Sequence, residues 1–278
     1  MVQSHKVRTI VQLSDLHFGA ILEPTLTPLV QYLHDLAPHL TIISGDFTQR
    51  ATREQFTQAN AYLARLPQPQ LLIPGNHDVP LYNVFRRFLS PLAAYDEFIS
   101  TNHDPAFIDD EVAVVGINSA RSFTFKGGNV SEAQLQDSVN AFSLATNNQV
   151  RVVVVHHPFD IPVGLSGVEI VGNAKRAIET FAGCHVDLFL TGHLHLVQRA
   201  PASVFTPGYH AMMLGAGTAT STRARGEPNS FFVLRVDHSR NDDGAIQVET
   251  HTWNAARNCF ELTDARSVPR ITMARAAE

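Results

Sequence analysis

The stretch Val7-Arg8-Thr9-Ile10-Val11-Gln12-Leu13-Ser14-Asp15-Leu16-His17 decides the fold. Its first seven residues make a mainly apolar run of strand length. A carboxylate and an imidazole follow it, two positions apart. The same arrangement returns four times. Residues 40–43 run into Gly45-Asp46, residues 71–73 into Gly75-Asn76-His77-Asp78, residues 150–155 into His156, and residues 186–190 into Gly192-His193-Leu194-His195. A lone Asp-x-His arises often by chance; five such clusters, each closing a predicted strand, are a different matter. Binding sites in open α/β sheets gather outside the carboxyl ends of the strands, so all five clusters are expected on one rim of one sheet.

Between these runs the apolar spacing becomes helical. Residues 25–37 place Leu26, Leu29, Val30 and Leu33 on one face, and residues 53–66 do the same with Phe56, Ala59, Leu63 and Leu66. Ser131 opens a capped helix carrying Leu135, Val139 and Phe142, and residues 172–181 form another. Residues 81–99 space Tyr82, Phe85, Phe88, Tyr95 and Phe98 as a packed helix face, or as an apolar ligand pocket. The run Phe123-Thr124-Phe125-Lys126-Gly127-Gly128 reads as a hairpin tip or loop near the rim. Strand and helix alternate through the first two thirds, which predicts layered α/β architecture. After His195, residues 212–214, 230–236 and 246–253 read as antiparallel hairpins that add a second sheet. The expected whole is a four-layer αββα sandwich over residues 1–264, with 265–278 a poorly ordered tail.

The chain's 278 residues allow an ample core, and 44% hydrophobic with 17% charged residues describe a globular protein. A formal net charge of -5 argues against a nonspecific nucleic-acid binder. Two cysteines, Cys184 and Cys259, make neither a disulfide framework nor a CxxC site. With no apolar run long enough to span a bilayer and no signal-peptide pattern, a cytoplasmic location is expected.

The donors themselves carry chemistry. Two carboxylates, an amide oxygen and several imidazoles can hold two divalent cations side by side, an arrangement suited to attack at phosphorus. Mixed imidazole and oxygen ligation suits Mn²⁺ or Fe, with Zn²⁺ the alternative, better than Mg²⁺ or Ca²⁺.

These motifs, over residues 8–198, resemble those of the calcineurin-like metallophosphoesterase superfamily. Among its members the chain is most similar to bacterial class III cyclic-nucleotide and glycerophosphodiester phosphodiesterases. The resemblance implies a first cation bound by Asp15, His17, Asp46 and His195, and a second by Asp46, Asn76, His156 and His193, with Asp46 bridging. It selects His156 over the adjacent His157. It also places His77 beside the cations, to protonate the leaving oxygen or stabilise its charge, with Asp78 orienting the His77 ring. Water activated at the metal pair would attack in line.

Arg50 is a candidate phosphate contact or a structural ion-pair partner, and Asn118 and Arg121 are candidate substrate contacts on the rim. The resemblance implies a small-molecule phosphoester substrate, most of all a phosphodiester, and a monomer or homodimer. Cyclic-nucleotide members commonly continue Asn-His-Asp with one residue and then Arg. Here Val79-Pro80-Leu81-Tyr82 follows, which weighs against cyclic AMP. The alternatives are a pyrophosphohydrolase of a nucleotide-linked lipid precursor and a non-catalytic scaffold of the same fold.

Overall fold

A computed structural model describes residues 7–81, 84–121, 127–161, 169–201, 208–239 and 245–271. Strands β1 (Arg8–Leu13), β2 (Leu40–Ser44) and β3 (Gln70–Ile73) lie parallel, linked by helices α1 (Leu26–Leu36) and α2 (Arg53–Leu63). Helices α3 (Val84–Leu89) and α4 (Ala93–Phe98) lead to strands β4 (Ala106–Ile108) and β5 (Val112–Ile117). Helix α5 (Glu132–Ser143), β6 (Val150–Val155), α6 (Ala174–Gly183) and β7 (Leu188–Thr191) follow. The chain then runs through β8 (Gln198–Pro201), β9 (Met212–Gly215), β10 (Ser230–Val236), β11 (Ile246–Asn254) and β12 (Cys259–Val268). Two mixed six-stranded sheets result, ordered β12-β11-β10-β1-β2-β3 and β4-β5-β6-β7-β9-β8.

The four-layer expectation holds, but the division between sheets differs from the one the sequence suggests. The five clusters do not share a sheet: β1, β2 and β3 carry three of them, and β6 and β7, in the other sheet, carry two. Nor do the late strands build the second sheet alone. β10, β11 and β12 extend the first sheet beside β1, while β8 and β9 join the second. The apolar runs are continuous because both faces of each strand are covered. Ile10, Ile42 and Ile73 meet Val114, Val152, Val154 and Leu190 between the sheets. Their neighbours Val11, Leu13 and Ile43 pack outward on Leu29 and Leu33 of α1 and Phe56 and Ala59 of α2. Val115, Val153 and Val155 of the second sheet pack outward on Phe142 of α5 and Ile178 and Phe181 of α6.

Local signals agree with these placements. Ser131 caps α5, its hydroxyl accepting from the Gln134 backbone N–H at 3.3 Å while the Gln134 side chain accepts from the Ser131 N–H. The predicted helical face over 81–99 breaks in two at Ser90-Pro91. Tyr95 is fully buried and Phe98 packs against the same core, but Phe85 is 79% exposed. Tyr82 and residues 123–126 lie outside the described residues. Strand order continues past residue 264: β12 runs to Val268, and the Ile271 N–H donates to Asp187 at 2.7 Å.

Candidate metal centre

The carboxyl ends of β1, β2, β3, β6 and β7 meet where the two sheets face each other. Gly45 takes φ +93°, and a side chain there would strike the His156 ring. Gly75 has ordinary extended backbone, yet an added Cβ would strike the Asp46 carboxylate and backbone nitrogen. Five non-glycine residues of the clusters sit in the left-handed region: Asp15 (φ 54°), His17 (52°), Asp46 (57°), His193 (71°) and His195 (57°). Such conformations are uncommon outside glycine, and Asp and His are among the residues that tolerate them. They persist because the loops stay paired beyond the strands. The Asp15 N–H donates to Gly45 O at 3.1 Å, His17 N–H to Asp46 O at 3.0 Å, and Phe18 N–H to Phe47 O at 2.8 Å.

Asp15, His17, Asp46 and His195 are all buried, and each turns one ligand atom into a single space, all within 4.8 Å of one another. The imidazoles are aimed from behind. Nδ1 of His17 faces the Thr48 carbonyl at 3.3 Å, that of His156 the Ser44 carbonyl at 2.7 Å, and that of His195 the Arg223 carbonyl at 3.0 Å. A carbonyl only accepts, so each Nδ1 carries hydrogen and each Nε2 is the nitrogen turned inward. Nε2 of His17 and His195 lie 3.1 Å apart. Oδ1 of Asp15 is 3.0 Å from His195 Nε2 and 3.5 Å from His17 Nε2. Oδ2 of Asp46 lies 3.7 Å from His17 Nε2 on one side and 3.4 Å from His156 Nε2 on the other. The Asn76 amide oxygen completes the second side, 3.2 Å from His156 Nε2 and 2.9 Å from His193 Nδ1. Asn76, His77 and His193 are only partly buried, so the site opens on their side.

The two buried carboxylates set the electrostatics: both are held ionised, and they draw a proton onto His156 that a bound cation would displace. Burial alone would raise Asp15, but His195 and His17 outweigh it and hold the carboxyl well below its usual range. Burial is likewise overcome at Asp46, chiefly by His156, and that carboxyl is also held low. At His156 burial opposes charge, yet Asp46 and Asp15 push the imidazole up to about 9. Burial and the neighbouring His156 depress His193 to about 4.

Oδ1 of Asp15 and Oδ2 of Asp46 are buried without a hydrogen-bond partner among the described residues. Ionised carboxylate oxygens seldom stay buried and unpaired. With inward imidazole nitrogens around them, they fit divalent cations.

The remaining predicted residues fall differently. The His77 ring stands edge-on to His17, with centroids 5.0 Å apart. Asp78 does not orient it. Instead, the Asp78 carboxylate accepts from the backbone N–H groups of Phe47 (3.2 Å), Thr48 (2.9 Å) and Gly75 (2.9 Å), tying the loop after β2 to the loop after β3. His77 Nδ1 donates to the Gln49 carbonyl at 3.0 Å, and Nε2 accepts from Arg223 Nη1 at 2.9 Å. Arg121 is spent on the carbonyls of Asn118 and Ala120 and on Gln134, and the Asn118 side chain accepts from Ala120 N–H within its own turn. Neither residue is brought to the donor cluster by these bonds. Arg50 is exposed, and its backbone N–H donates to Gln55 at 2.8 Å. His157, set aside in favour of His156, is fully buried against Ser119 Oγ at 2.7 Å, with its ring 4.7 Å from that of His193. Sequence reasoning missed Arg223 and Gln49, which lie outside the five clusters.

The fold and this donor set define a class: the chain belongs to the calcineurin-like phosphoesterase family, whose sequence profile matches residues 8–197. A protein of Arcobacter nitrofigilis named probable glycerophosphodiester phosphodiesterase GpdQ is 26% identical over 208 residues, 68% of this chain and 72% of that protein. The fold is shared with purple acid phosphatase PPD1 of yellow lupin, Lupinus luteus (TM-score 0.71, 12% identity, 96% of this chain). This chain spans only 54% of the lupin structure. It is shared also with a dimetal phosphatase of Danio rerio (TM-score 0.65, 12% identity, 95% of this chain and 99% of that one). No helix among the described residues is long and apolar enough to cross a membrane.

Proposed function

We propose that the protein is a dinuclear metal-dependent phosphoester hydrolase acting on phosphodiesters. One observation carries the reading: Asp46 Oδ2 is buried with no hydrogen-bond partner among the described residues, and lies between His17 Nε2 and His156 Nε2. Asp15, His17, Asp46 and His195 would hold one cation, and Asp46, Asn76, His156 and His193 the other. Mn²⁺ or Fe suits this donor set. Bound there, two divalent ions supply Lewis-acid activation of water and neutralise charge on the phosphoryl group.

The chain's own residues do the rest. The carbonyls of Thr48, Ser44 and Arg223 fix the imidazoles of His17, His156 and His195 before any ligand arrives, so little reorganisation is needed. The Asp46 carboxylate is held at its other oxygen by the His77 backbone N–H at 2.8 Å, so Oδ2 would be the oxygen offered to the cations. His77, anchored through Nδ1 on Gln49 O, stands at the open side, where the leaving oxygen departs. Burial and His17 depress its imidazole despite Asp46, and Nε2 accepts from Arg223 Nη1, so to assist the leaving oxygen Nε2 would have to release Arg223 and take up a proton. Diester preference is supported by the intact Asn76-His77-Asp78 and by the name of the Arcobacter nitrofigilis relative. The test is a substrate panel on Mn²⁺-loaded protein: an aryl phosphodiester, an aryl phosphomonoester, cyclic AMP, a glycerophosphodiester and a nucleotide-linked lipid. Faster turnover of the diesters is expected. A preference for the monoester by orders of magnitude would overturn the diesterase reading.

A further inference from the structure

We propose that Arg223 is a substrate-binding residue of this centre, its guanidinium taking the non-bridging oxygens of the phosphoryl group. The inference rests on the phosphoesterase reading above and adds to it a residue outside the five clusters.

Arg223 lies in the connection between β9 and β10, and that connection is stitched to the loop bearing Asp15 and His17. Ala219 N–H donates to Ser14 O at 3.0 Å, Thr218 Oγ1 to Asp15 O at 2.7 Å, Thr220 Oγ1 to Leu16 O at 2.9 Å, and Thr222 N–H to Ala20 O at 2.8 Å. The Arg223 backbone is fixed at both ends: its N–H donates to Ser221 Oγ at 3.0 Å, and its carbonyl accepts from His195 Nδ1. The arginine is therefore built into the centre and is no stray surface cation.

Its side chain is half-buried and only partly used. Nη1 donates to His77 Nε2 at 2.9 Å and to Gln49 Oε1 at 3.3 Å. Among the described residues neither Nε nor Nη2 has a partner, and no carboxylate pairs with the group. Arg199 and Arg235, comparably buried, are each neutralised by an acid, Asp264 and Glu249. A guanidinium held beside this donor cluster with no carboxylate partner among the described residues can take an incoming anion. Guanidinium presents its N–H groups as a planar fork that matches two phosphoryl oxygens. Gln49 Oε1 and His77 Nε2 brace that fork as acceptors and bring no carboxylate to it.

The test uses Mn²⁺-loaded protein and inorganic phosphate as the probe, with R223A and R223M, the latter keeping the apolar stem. Binding is followed by titration calorimetry, beside metal content, melting temperature and the KM and kcat of an aryl phosphodiester. Loss of charged hydrogen bonds predicts phosphate affinity weakened about ten- to hundredfold and KM raised, with metal content unchanged. Added guanidine should restore part of the loss in R223A. Unchanged phosphate affinity in either variant that keeps its metals overturns the proposal. A fall in kcat with KM and phosphate affinity intact would overturn it too, and would make Arg223 a positioning residue for His77. If R223A does not fold, R223M decides by the same criteria. Wild-type protein that binds phosphate but turns over no phosphoester would sink the hydrolase reading while leaving the role of Arg223 in anion binding measurable.

Discussion

Alanine at Gly75 isolates one contact of the centre. The backbone there is extended (φ -109°, ψ -179°), a conformation open to any residue, so alanine meets no backbone penalty. The whole effect comes from the added methyl, which would overlap Asp46 Oδ1 and the Asp46 backbone nitrogen and stand 2.9 Å from Cγ. Overpacking of this kind costs about 1–3 kcal/mol. Moving the carboxylate also weakens its 2.8 Å bond from the His77 N–H, a charged hydrogen bond of about 1.5–3 kcal/mol when lost outright. A partial loss brings the sum to about 2–4 kcal/mol, or a fall of on the order of 5–15 °C in melting temperature for a chain of this size. Asp46 Oδ2 would leave its place between His17 and His156, so metal content after Mn²⁺ reconstitution should drop as well.

Gly183 supplies the control. It closes α6, has nothing among the described residues within 4 Å of an added Cβ, and alanine there should be neutral or stabilising by up to about 1 kcal/mol. Calorimetry in chelator and elemental analysis after reconstitution read the two effects separately. A Gly75→Ala protein with wild-type melting temperature and full metal content would refute the steric reasoning.

Three further outcomes are expected. On the role proposed for His77 in leaving-group departure, His77→Ala should lower kcat by about 10²–10⁴-fold with metal content intact; loss of metal would reassign it. Asp78→Asn should destabilise by about 2–3 kcal/mol in thermal melts, since an amide cannot accept from Phe47, Thr48 and Gly75 together; a variant as stable as wild type would contradict that tie. Burial raises Glu249, but its bonds to Arg235 (2.7 Å) and His251 (3.1 Å) outweigh it and leave the carboxyl below its usual range. A depressed carboxyl stabilises the fold above its unfolded value and loses that contribution as pH falls through the folded one. Wild type should therefore be more stable than Glu249→Gln near neutrality, with the gap closing below about pH 4.5; a gap constant with pH would refute the linkage.

The donor clusters were legible because each is local: a strand run, a glycine or a short turn, then the ligand. What lies behind the ligands was not. The carbonyls of Thr48, Ser44 and Arg223 that aim the imidazoles are backbone groups with no signature in residue type, and the His156–Ser44 pair spans 112 positions. Arg223 sits among Thr220-Ser221-Thr222 and Ala224-Arg225-Gly226, where nothing in the pattern separates it from an ordinary loop arginine. The division of the strands between two sheets was hidden for a related reason. A run buried on both faces reads the same whether the second face meets a helix or another sheet. β12 escaped because it is an edge strand with polar, exposed residues such as Thr263, Arg266 and Ser267. Asp78 was legible as a residue but not in its role: spacing put it beside His77, while three backbone N–H groups from two loops claimed its carboxylate.

The left-handed residues join these observations into one constraint. Asp15, His17, Asp46, His193 and His195 each hold a conformation that costs on the order of 1 kcal/mol or more outside glycine. Sequence design for stability alone would place glycine or asparagine there. Glycine brings no donor, and asparagine brings neither charge nor imidazole, so a cation site must keep Asp and His in backbone they do not favour. The bonds from the Asp15, His17 and Phe18 N–H groups into the loop after β2, and the threonine stitching from 218 to 222, hold that backbone in place from both sides. The same stitching delivers Arg223 to His77. Stabilising the ligand loops and presenting the guanidinium are thus one structural act, and loosening either segment should disturb metal and phosphate affinity together.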